Sequence, residues 1–124
     1  MTRRLAVTMG DPRGIGPEIV ARAVARGHGR GVIVCGDADL LAATARKLHL
    51  PHGAAEVFHV PAREADGGVA FVAAAHELAM HGEVAGIVTG PIRKLAPFRH
   101  GGAAPGHTEL LSEWSGVRPT ATML

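Results

Sequence analysis

The residues of this chain that are best placed to bind a ligand stand in a glycine-rich turn at residues 10–18. Asp11 supplies a carboxylate, and Gly14 and Gly16 let a bound molecule approach the main chain closely. The turn lies between an apolar run and an amphipathic run, which predicts a strand before it and a helix after it. In α/β enzymes, this arrangement presents backbone N–H groups to a bound anion or nucleotide.

The glycine turn matches the dinucleotide-binding fingerprint only in part. Gly14 and Gly16 supply the first two glycines, but Ile19 stands where the third is expected. Asp37 follows a predicted strand at roughly the 20-residue distance at which an acid binds a ribose. The motif alone is therefore compatible with a Rossmann-type nucleotide site, with another kind of ligand site, and with a tight turn that binds nothing.

A second motif, residues 89–94, combines a glycine, a proline and two basic side chains. It follows an apolar run, so we expect it at the carboxyl end of a strand, where open α/β sheets bind their ligands. Arg93 and Lys94 could there bind a phosphate or a carboxylate. The alternative is a solvated cationic turn.

A third motif, residues 105–109, places His107 and Thr108 at the predicted start of a helix. Their side chains and the free N–H groups of the first helical turn could bind a substrate oxygen or a phosphate. In the alternative interpretation, Thr108 is an N-cap residue and His107 lies on the surface. Capping explains Thr108 but not a histidine next to glycine-containing turns, which favours a binding role.

Apolar and β-branched runs alternate with helical patterns along the chain. The predicted strands are residues 5–8, 32–35, 56–60, 85–89 and 119–124, and the predicted helices are residues 17–26, 38–48, 69–81 and 108–115. This alternation predicts one α/β domain over residues 1–124, with a mostly parallel sheet and helices on both faces. Because the chain stops within an apolar run rather than in a polar tail, we expect it to be part of a longer protein.

Composition argues against several classes of function. The formal net charge is only +2 and aromatic residues make up 3% of the chain, so we expect no nucleic-acid partner. No run approaches the roughly 18 apolar residues of a membrane span. The single cysteine, Cys35, cannot form an internal disulfide, which favours a reducing cytoplasm. Its apolar neighbours predict a buried side chain rather than a nucleophile.

Eight histidines raise the question of a metal site. His76 and His81 are five positions apart, so their rings diverge on a helix and cannot chelate one zinc ion together. We therefore predict no metal site formed by this chain. We expect exposed side chains for these two histidines and for the other five outside the third motif: His28, His49, His52, His59 and His100.

The three motifs, in this order, resemble the amino-terminal part of the 4-hydroxythreonine-4-phosphate dehydrogenase family. The resemblance extends over essentially the whole chain but covers well under half of a family member. It implies an α/β fold like that of isocitrate and isopropylmalate dehydrogenases, which is not a Rossmann fold. It also implies a homodimer whose active site lies between two domains and is completed by the other subunit.

The resemblance also implies roles for individual residues. His107 and Thr108 match the family's substrate-contacting pair, and Lys94 matches its basic position after the proline turn. The family uses NAD or NADP and a divalent metal (zinc, magnesium or cobalt), which we expect to be bound by residues outside this chain. Three residues match the glycine turn, for which we infer contact with the cofactor: Asp11, Gly14 and Gly16.

The expected reaction is oxidation of the secondary alcohol of 4-phosphooxy-threonine to a ketone, followed by loss of carbon dioxide from the β-keto acid. By resemblance, this is a cytoplasmic step of pyridoxine and pyridoxal phosphate biosynthesis. We expect the chain alone to be inactive, because the metal ligands come from later segments. Two alternatives stay open: a paralogue acting on 4-phospho-threonate or erythronate, and a non-catalytic α/β domain that binds an anion.

Overall fold

The computed structural model describes residues 3–63, 66–92 and 107–116, with only the backbone described for residues 107–110. The strands are β1 (Leu5–Thr8), β2 (Val32–Gly36), β3 (Glu56–His59) and β4 (Gly86–Val88). The helices are α1 (Gly16–Ala23), α2 (Ala38–Lys47), α3 (Val69–Met80) and α4 (His107–Ser115). Each of these elements was predicted to within a few residues. The strand predicted at residues 119–124 lies outside the described residues.

The four described strands form one parallel sheet in the order β3-β2-β1-β4. In the centre of the sheet, Val7 pairs with Val34 on one side and with Val88 on the other. Because all the strands run the same way, their carboxyl ends lie along one edge of the sheet. We call the point where the chain leaves the carboxyl end of a strand the exit of that strand. At this edge the exits of β1 and β4 are neighbours, and so are the exits of β2 and β3.

Both faces of the sheet are covered by helices. On one face, Ile33 and Cys35 of β2 pack with Ala75 and Leu78 of α3. On the other face, Val34 packs with Val20 of α1 and its neighbours. Strands buried on both faces explain why the sequence shows continuous apolar runs rather than alternation. The predicted fold class, a parallel α/β sheet with helices on both faces, is confirmed.

The end of the first helix differs from its prediction. The sequence predicts one helix over residues 17–26, whereas α1 ends at Ala23 and continues as a wider π-helical turn, Val24–His28. Gly27 lies in this turn with φ 92°, a left-handed conformation that glycine adopts without strain. A periodicity pattern does not distinguish this wider turn from a continued α-helix.

Candidate ligand-binding edge of the sheet

Hydrogen bonds join the exits of β1 and β4 beyond Val7 and Val88, the last residue pair of their ladder. The Gly90 N–H lies 3.1 Å from the carbonyl oxygen of Thr8 and 3.0 Å from its Oγ1, and donates to both. The Asp11 N–H donates to the carbonyl oxygen of Pro91 at 2.7 Å. The chain segments that follow the two strands therefore start from fixed positions relative to each other.

Glycines permit this contact because the backbones approach too closely for a side chain. A Cβ at Gly90 would lie 2.6 Å from the Thr8 carbonyl oxygen. Gly10 has φ +82°, and a Cβ there would lie 2.6 Å from the carbonyl oxygen of Pro91. Gly68, at the start of α3, would place a Cβ 2.6 Å from the Gly10 carbonyl oxygen. We call the contact of residues 8–11, 68 and 90–91 the glycine junction.

Sequence reasoning did not single out Gly10, Gly68 or Gly90 as contact residues of one junction. The available signal was a glycine within two residues of the end of each of two predicted strands and another immediately before a predicted helix. That signal does not say which glycines meet.

The turn that follows the junction is closed by its own aspartate. Asp11 is only 7% exposed, and its Oδ1 accepts a hydrogen bond from the Arg13 N–H at 2.9 Å. Its carbonyl oxygen accepts from the Gly14 N–H at 3.0 Å. The structure thus gives Asp11 a role in shaping the turn, and its contact with a cofactor stays a prediction.

The two glycines of the turn have different surroundings. Gly14 is exposed, and the nearest atom to a Cβ built there would be the Asp11 Cβ at 3.5 Å, an ordinary contact distance. Gly16 is buried, and a Cβ there would collide with the carbonyl oxygen of Met9. Gly14 is therefore open to a ligand from the solvent side, whereas Gly16 is required by packing within the chain.

The start of α1 carries no side-chain cap. Its N-cap residue is Ile15, whose side chain makes no capping hydrogen bond and which is 64% exposed. Pro17 stands in the first helical turn, where it removes no helical hydrogen bond. Because the first N–H groups of a helix have no intrahelical partner and carry partial positive charge, this helix start suits an anion.

A cleft of about 210 Å³ lies between the glycine turn and α2. Gly14 and Glu18 are on one wall, and Leu40 and Lys47 are on the other. A ligand that binds at the turn would therefore have a second wall that carries a cation.

At the exits of β2 and β3, side chains add to one backbone bond, which the Val60 N–H donates to the Gly36 carbonyl oxygen at 2.9 Å. Oδ1 of Asp37 accepts from the N–H groups of Asp39 and Leu40, each at 3.0 Å, and Oδ2 accepts from the Ala62 N–H at 2.9 Å. Nδ1 of His59 accepts from the Ala38 N–H at 3.0 Å. Both carboxylate oxygens of Asp37 are thus used to cap α2 and to hold the chain after β3.

These contacts also set the acidity of Asp37. Burial by itself acts to raise the pKa of the carboxyl, but hydrogen bonds from the Ala62, Leu40 and Asp39 N–H groups favour the charged form, as does nearby His59. Together they hold the pKa of Asp37 below its usual value. A capping carboxylate of this kind accounts for Asp37 without a ribose, which removes one support for the Rossmann-type interpretation.

The remaining predicted site residues lie at or beyond the limit of the described part. Lys94 and Arg93 are outside it. α4 begins at His107, one residue before its predicted start, so Thr108 lies within the first helical turn rather than at the N-cap. The structure describes only the backbone of His107 and Thr108, and the contact of their side chains with substrate stays a prediction.

The prediction that the histidines outside the third motif are exposed is wrong for His76. Its Nε2 is buried without a hydrogen-bond partner among the described residues, and its ring lies 5.8 Å from that of Trp114. The cause is the packing of α4 on α3, which local periodicity does not reveal. His81, at the end of the same helix, is exposed, and its Nδ1 lies 2.8 Å from the Glu77 carbonyl oxygen. Residues 93–106, which include His100, lie outside the described part.

Cys35 is buried within β2, as predicted. It is 0% exposed, and burial raises the pKa of its thiol to about 11. A thiol held in this form does not act as a nucleophile near neutral pH.

Within residues 3–63, 66–92 and 107–116, no three His, Cys, Asp or Glu side chains come together as possible metal ligands. The same part of the chain contains no helix that is long and apolar enough to cross a membrane.

A parallel sheet whose carboxyl edge carries an uncapped helix start is typical of α/β enzymes that bind small ligands at that edge. A family model for the pyridoxal phosphate biosynthetic protein PdxA matches residues 21–124. The chain therefore belongs to the PdxA family.

Curated relatives and a solved structure agree with this family. The 4-hydroxythreonine-4-phosphate dehydrogenase of Azoarcus sp. is 37% identical over 144 residues, which cover 97% of this chain and 44% of that protein. The D-threonate 4-phosphate dehydrogenase of Bordetella bronchiseptica is also 37% identical, over 97% of this chain and 43% of that protein. The crystal structure of 4-hydroxythreonine-4-phosphate dehydrogenase from Klebsiella pneumoniae superposes with a TM-score of 0.76 at 32% identity, over 92% of this chain and 45% of that chain. The chain thus spans less than half the length of these relatives.

Proposed function

We propose that this chain forms the amino-terminal part of an oxidoreductase that acts on 4-hydroxythreonine 4-phosphate in pyridoxal phosphate biosynthesis. Membership of the PdxA family and the names of the relatives support the substrate class. The observation that carries the proposal is the uncapped start of α1 beside the glycine junction. This arrangement leaves N–H groups at the ligand edge of the sheet.

In this proposal, the two sides of the site come from different segments. The glycine turn faces the cofactor, with Gly14 open for close approach and Asp11 holding the shape of the turn. His107 and Thr108 contact the substrate from the first turn of α4, and Lys94 contributes a positive charge that attracts the same substrate. NAD or NADP, when bound, would accept the hydride from the secondary alcohol.

A divalent metal and decarboxylation belong to the same proposal. The described residues bring no three metal ligands together, so they do not fit a metal site by themselves and we derive no step from the metal. The zinc, magnesium or cobalt ion would be bound by residues outside this chain. The complete enzyme would be a cytoplasmic homodimer.

A paralogous substrate is the second candidate. The relative named D-threonate 4-phosphate dehydrogenase is as similar as the relative named 4-hydroxythreonine-4-phosphate dehydrogenase, 37% identical in each case. Both names describe a phosphorylated hydroxy acid, and the described residues do not separate the amino acid from the threonate or erythronate.

An assay of the intact protein that contains this chain tests the proposal. Each phosphorylated substrate is offered with NAD and with NADP, before and after treatment with a chelator. We expect reduction of the nicotinamide with 4-phosphooxy-threonine, lost on chelation. Turnover of the threonate or erythronate alone would favour the paralogue. Ligand binding without turnover of any substrate would favour the anion-binding domain.

The variant His107→Ala tests the substrate side directly. We expect a fall in kcat/KM of about tenfold or more, the typical effect of losing a hydrogen bond to a charged group, with little change in Tm. The matched control is His81→Ala, which removes an exposed imidazole at the end of α3. A large fall in Tm with unchanged kinetics in His107→Ala would make His107 structural instead.

A further inference from the structure

Thr8 is a fully buried polar residue at the end of an otherwise apolar strand. It is 0% exposed, and the strand before it consists of Leu5, Ala6 and Val7. A buried hydroxyl is tolerated only when it is hydrogen-bonded, and here Oγ1 accepts from the Gly90 N–H at 3.0 Å. A valine would fill the same space in a strand, so packing alone does not explain the hydroxyl.

The position of the hydrogen bond between Gly90 and the Thr8 hydroxyl suggests why a threonine rather than a valine stands here. The ladder between β1 and β4 ends at the pair Val7 and Val88, and the bond from Gly90 to Thr8 is made just beyond that pair. The next contact between the two segments is the hydrogen bond from the Asp11 N–H to the Pro91 carbonyl oxygen. Thr8 therefore adds a side-chain hydrogen bond where the ladder ends, beside the backbone bond from the Gly90 N–H to the Thr8 carbonyl oxygen.

The two segments lead to the two sides of the proposed site. From Asp11 the chain continues into the glycine turn, and from Pro91 it continues towards Lys94. We infer that Thr8 is a positioning residue, whose hydroxyl fixes the exit of β4 against the glycine turn and so sets the spacing of the substrate and cofactor sides. The kinetic part of this inference rests on the proposed function, whereas the structural part does not.

Two variants separate the hydroxyl from the shape of the side chain. Thr8→Val keeps the branched shape and leaves the backbone bond from Gly90 to the residue 8 carbonyl, but it removes the hydroxyl. Thr8→Ser keeps the hydroxyl and removes a methyl group. In the intact protein, we expect amide exchange at Gly90 and Asp11 to become about threefold to tenfold faster in Thr8→Val, the effect of about one lost hydrogen bond. In Thr8→Ser it should stay near the wild-type rate.

Kinetics give the second readout. We expect Thr8→Val to raise the KM for the phosphorylated substrate by about threefold to tenfold, with a smaller change in kcat, and Thr8→Ser to restore the wild-type KM. A lower Tm with unchanged KM and unchanged exchange at Gly90 would make Thr8 merely structural and would overturn the inference.

If the wild type oxidises none of the substrates, the proposed function fails. The exchange rates of the two variants then still decide whether Thr8 holds the exit of β4.

Discussion

The two pairs of neighbouring strand exits in this sheet are joined in different ways. Between β1 and β4 the joint is formed mainly by backbone, with Gly10 and Gly90 too close to neighbouring carbonyl groups to carry a side chain. Between β2 and β3 one backbone bond, from the Val60 N–H to the Gly36 carbonyl oxygen, is joined by side chains: Asp37 is bonded to three N–H groups and His59 to a fourth. The helix that follows β2 is capped, and the helix that follows β1 is not.

This difference shows where the molecule keeps groups available for a ligand. A capping carboxylate satisfies helical N–H groups and neutralises part of the positive helix end. At the β2 and β3 exits, that arrangement leaves less to attract an anion. At the β1 and β4 exits, backbone packing holds the structure together, and the N-cap residue of α1 provides no side-chain cap. The carboxylate in the first turn of α1, that of Glu18, lies 3.8 Å from Nε of Arg22. We therefore propose that ligand binds at the first pair of exits and that the second pair has a structural role.

Substitution of Gly16 by alanine should give the largest effect. Gly16→Ala forces a Cβ against the Met9 carbonyl oxygen, and we expect it to lower the free energy of unfolding by about 3 kcal/mol or more. The control is Gly14→Ala, two residues away, where a Cβ meets nothing closer than 3.5 Å, and there we expect a change within about 0.5 kcal/mol. Urea unfolding monitored by circular dichroism measures both. Equal losses in the two variants would contradict the assigned difference between the two glycines.

Removal of the α2 cap should have an intermediate effect. We expect Asp37→Ala to lower the free energy of unfolding by about 1–2 kcal/mol, because helical N–H groups lose their acceptor. Asp39→Ala, an exposed acid in the first turn of the same helix, is the control, with an expected change within about 0.5 kcal/mol. The affinity for NAD should not change in Asp37→Ala. A weaker affinity would show that Asp37 binds the cofactor, as the Rossmann-type interpretation requires.

The smallest effect is the pH dependence of the same cap. The folded state lowers the pKa of Asp37 below the ordinary value of 3.8, so its contribution to stability is present above that value. It is lost as the pH falls through the lower pKa of the folded state. We expect the difference in unfolding free energy between the wild type and Asp37→Asn to be fully present at about pH 5 and to shrink below about pH 4. A difference that stays constant down to pH 2 would contradict the capping role.

Local patterns in the sequence were sufficient to predict the elements of the fold. β1 and β2 are recognisable as short continuous apolar runs, and α3 is recognisable from the helical spacing of its apolar face. The alternation of such strands and helices implies a parallel sheet. The position of the glycine turn, after a strand and before a helix, was predicted in the same way.

The contacts between distant residues were not predictable by these rules. Gly10, Gly68 and Gly90 meet only after the chain has folded, and their positions at the ends of predicted elements do not show that they meet one another. Gly14 and Gly16 look equivalent in the motif and differ only through the carbonyl of Met9. The burial of these glycines depends on residues that are not adjacent in the sequence, so local sequence patterns do not predict it.

Amide hydrogen exchange of the intact protein, with and without NAD and the phosphorylated substrate, tests the central claim most directly. The claim is that ligands bind at the exits of β1 and β4 and not at those of β2 and β3. We predict that ligand slows exchange in residues 11–16 and at Gly90, while exchange at Ala38 and Ala62 is unchanged. Slower exchange around Asp37, with none in the glycine turn, would contradict the assignment of the ligand-binding edge.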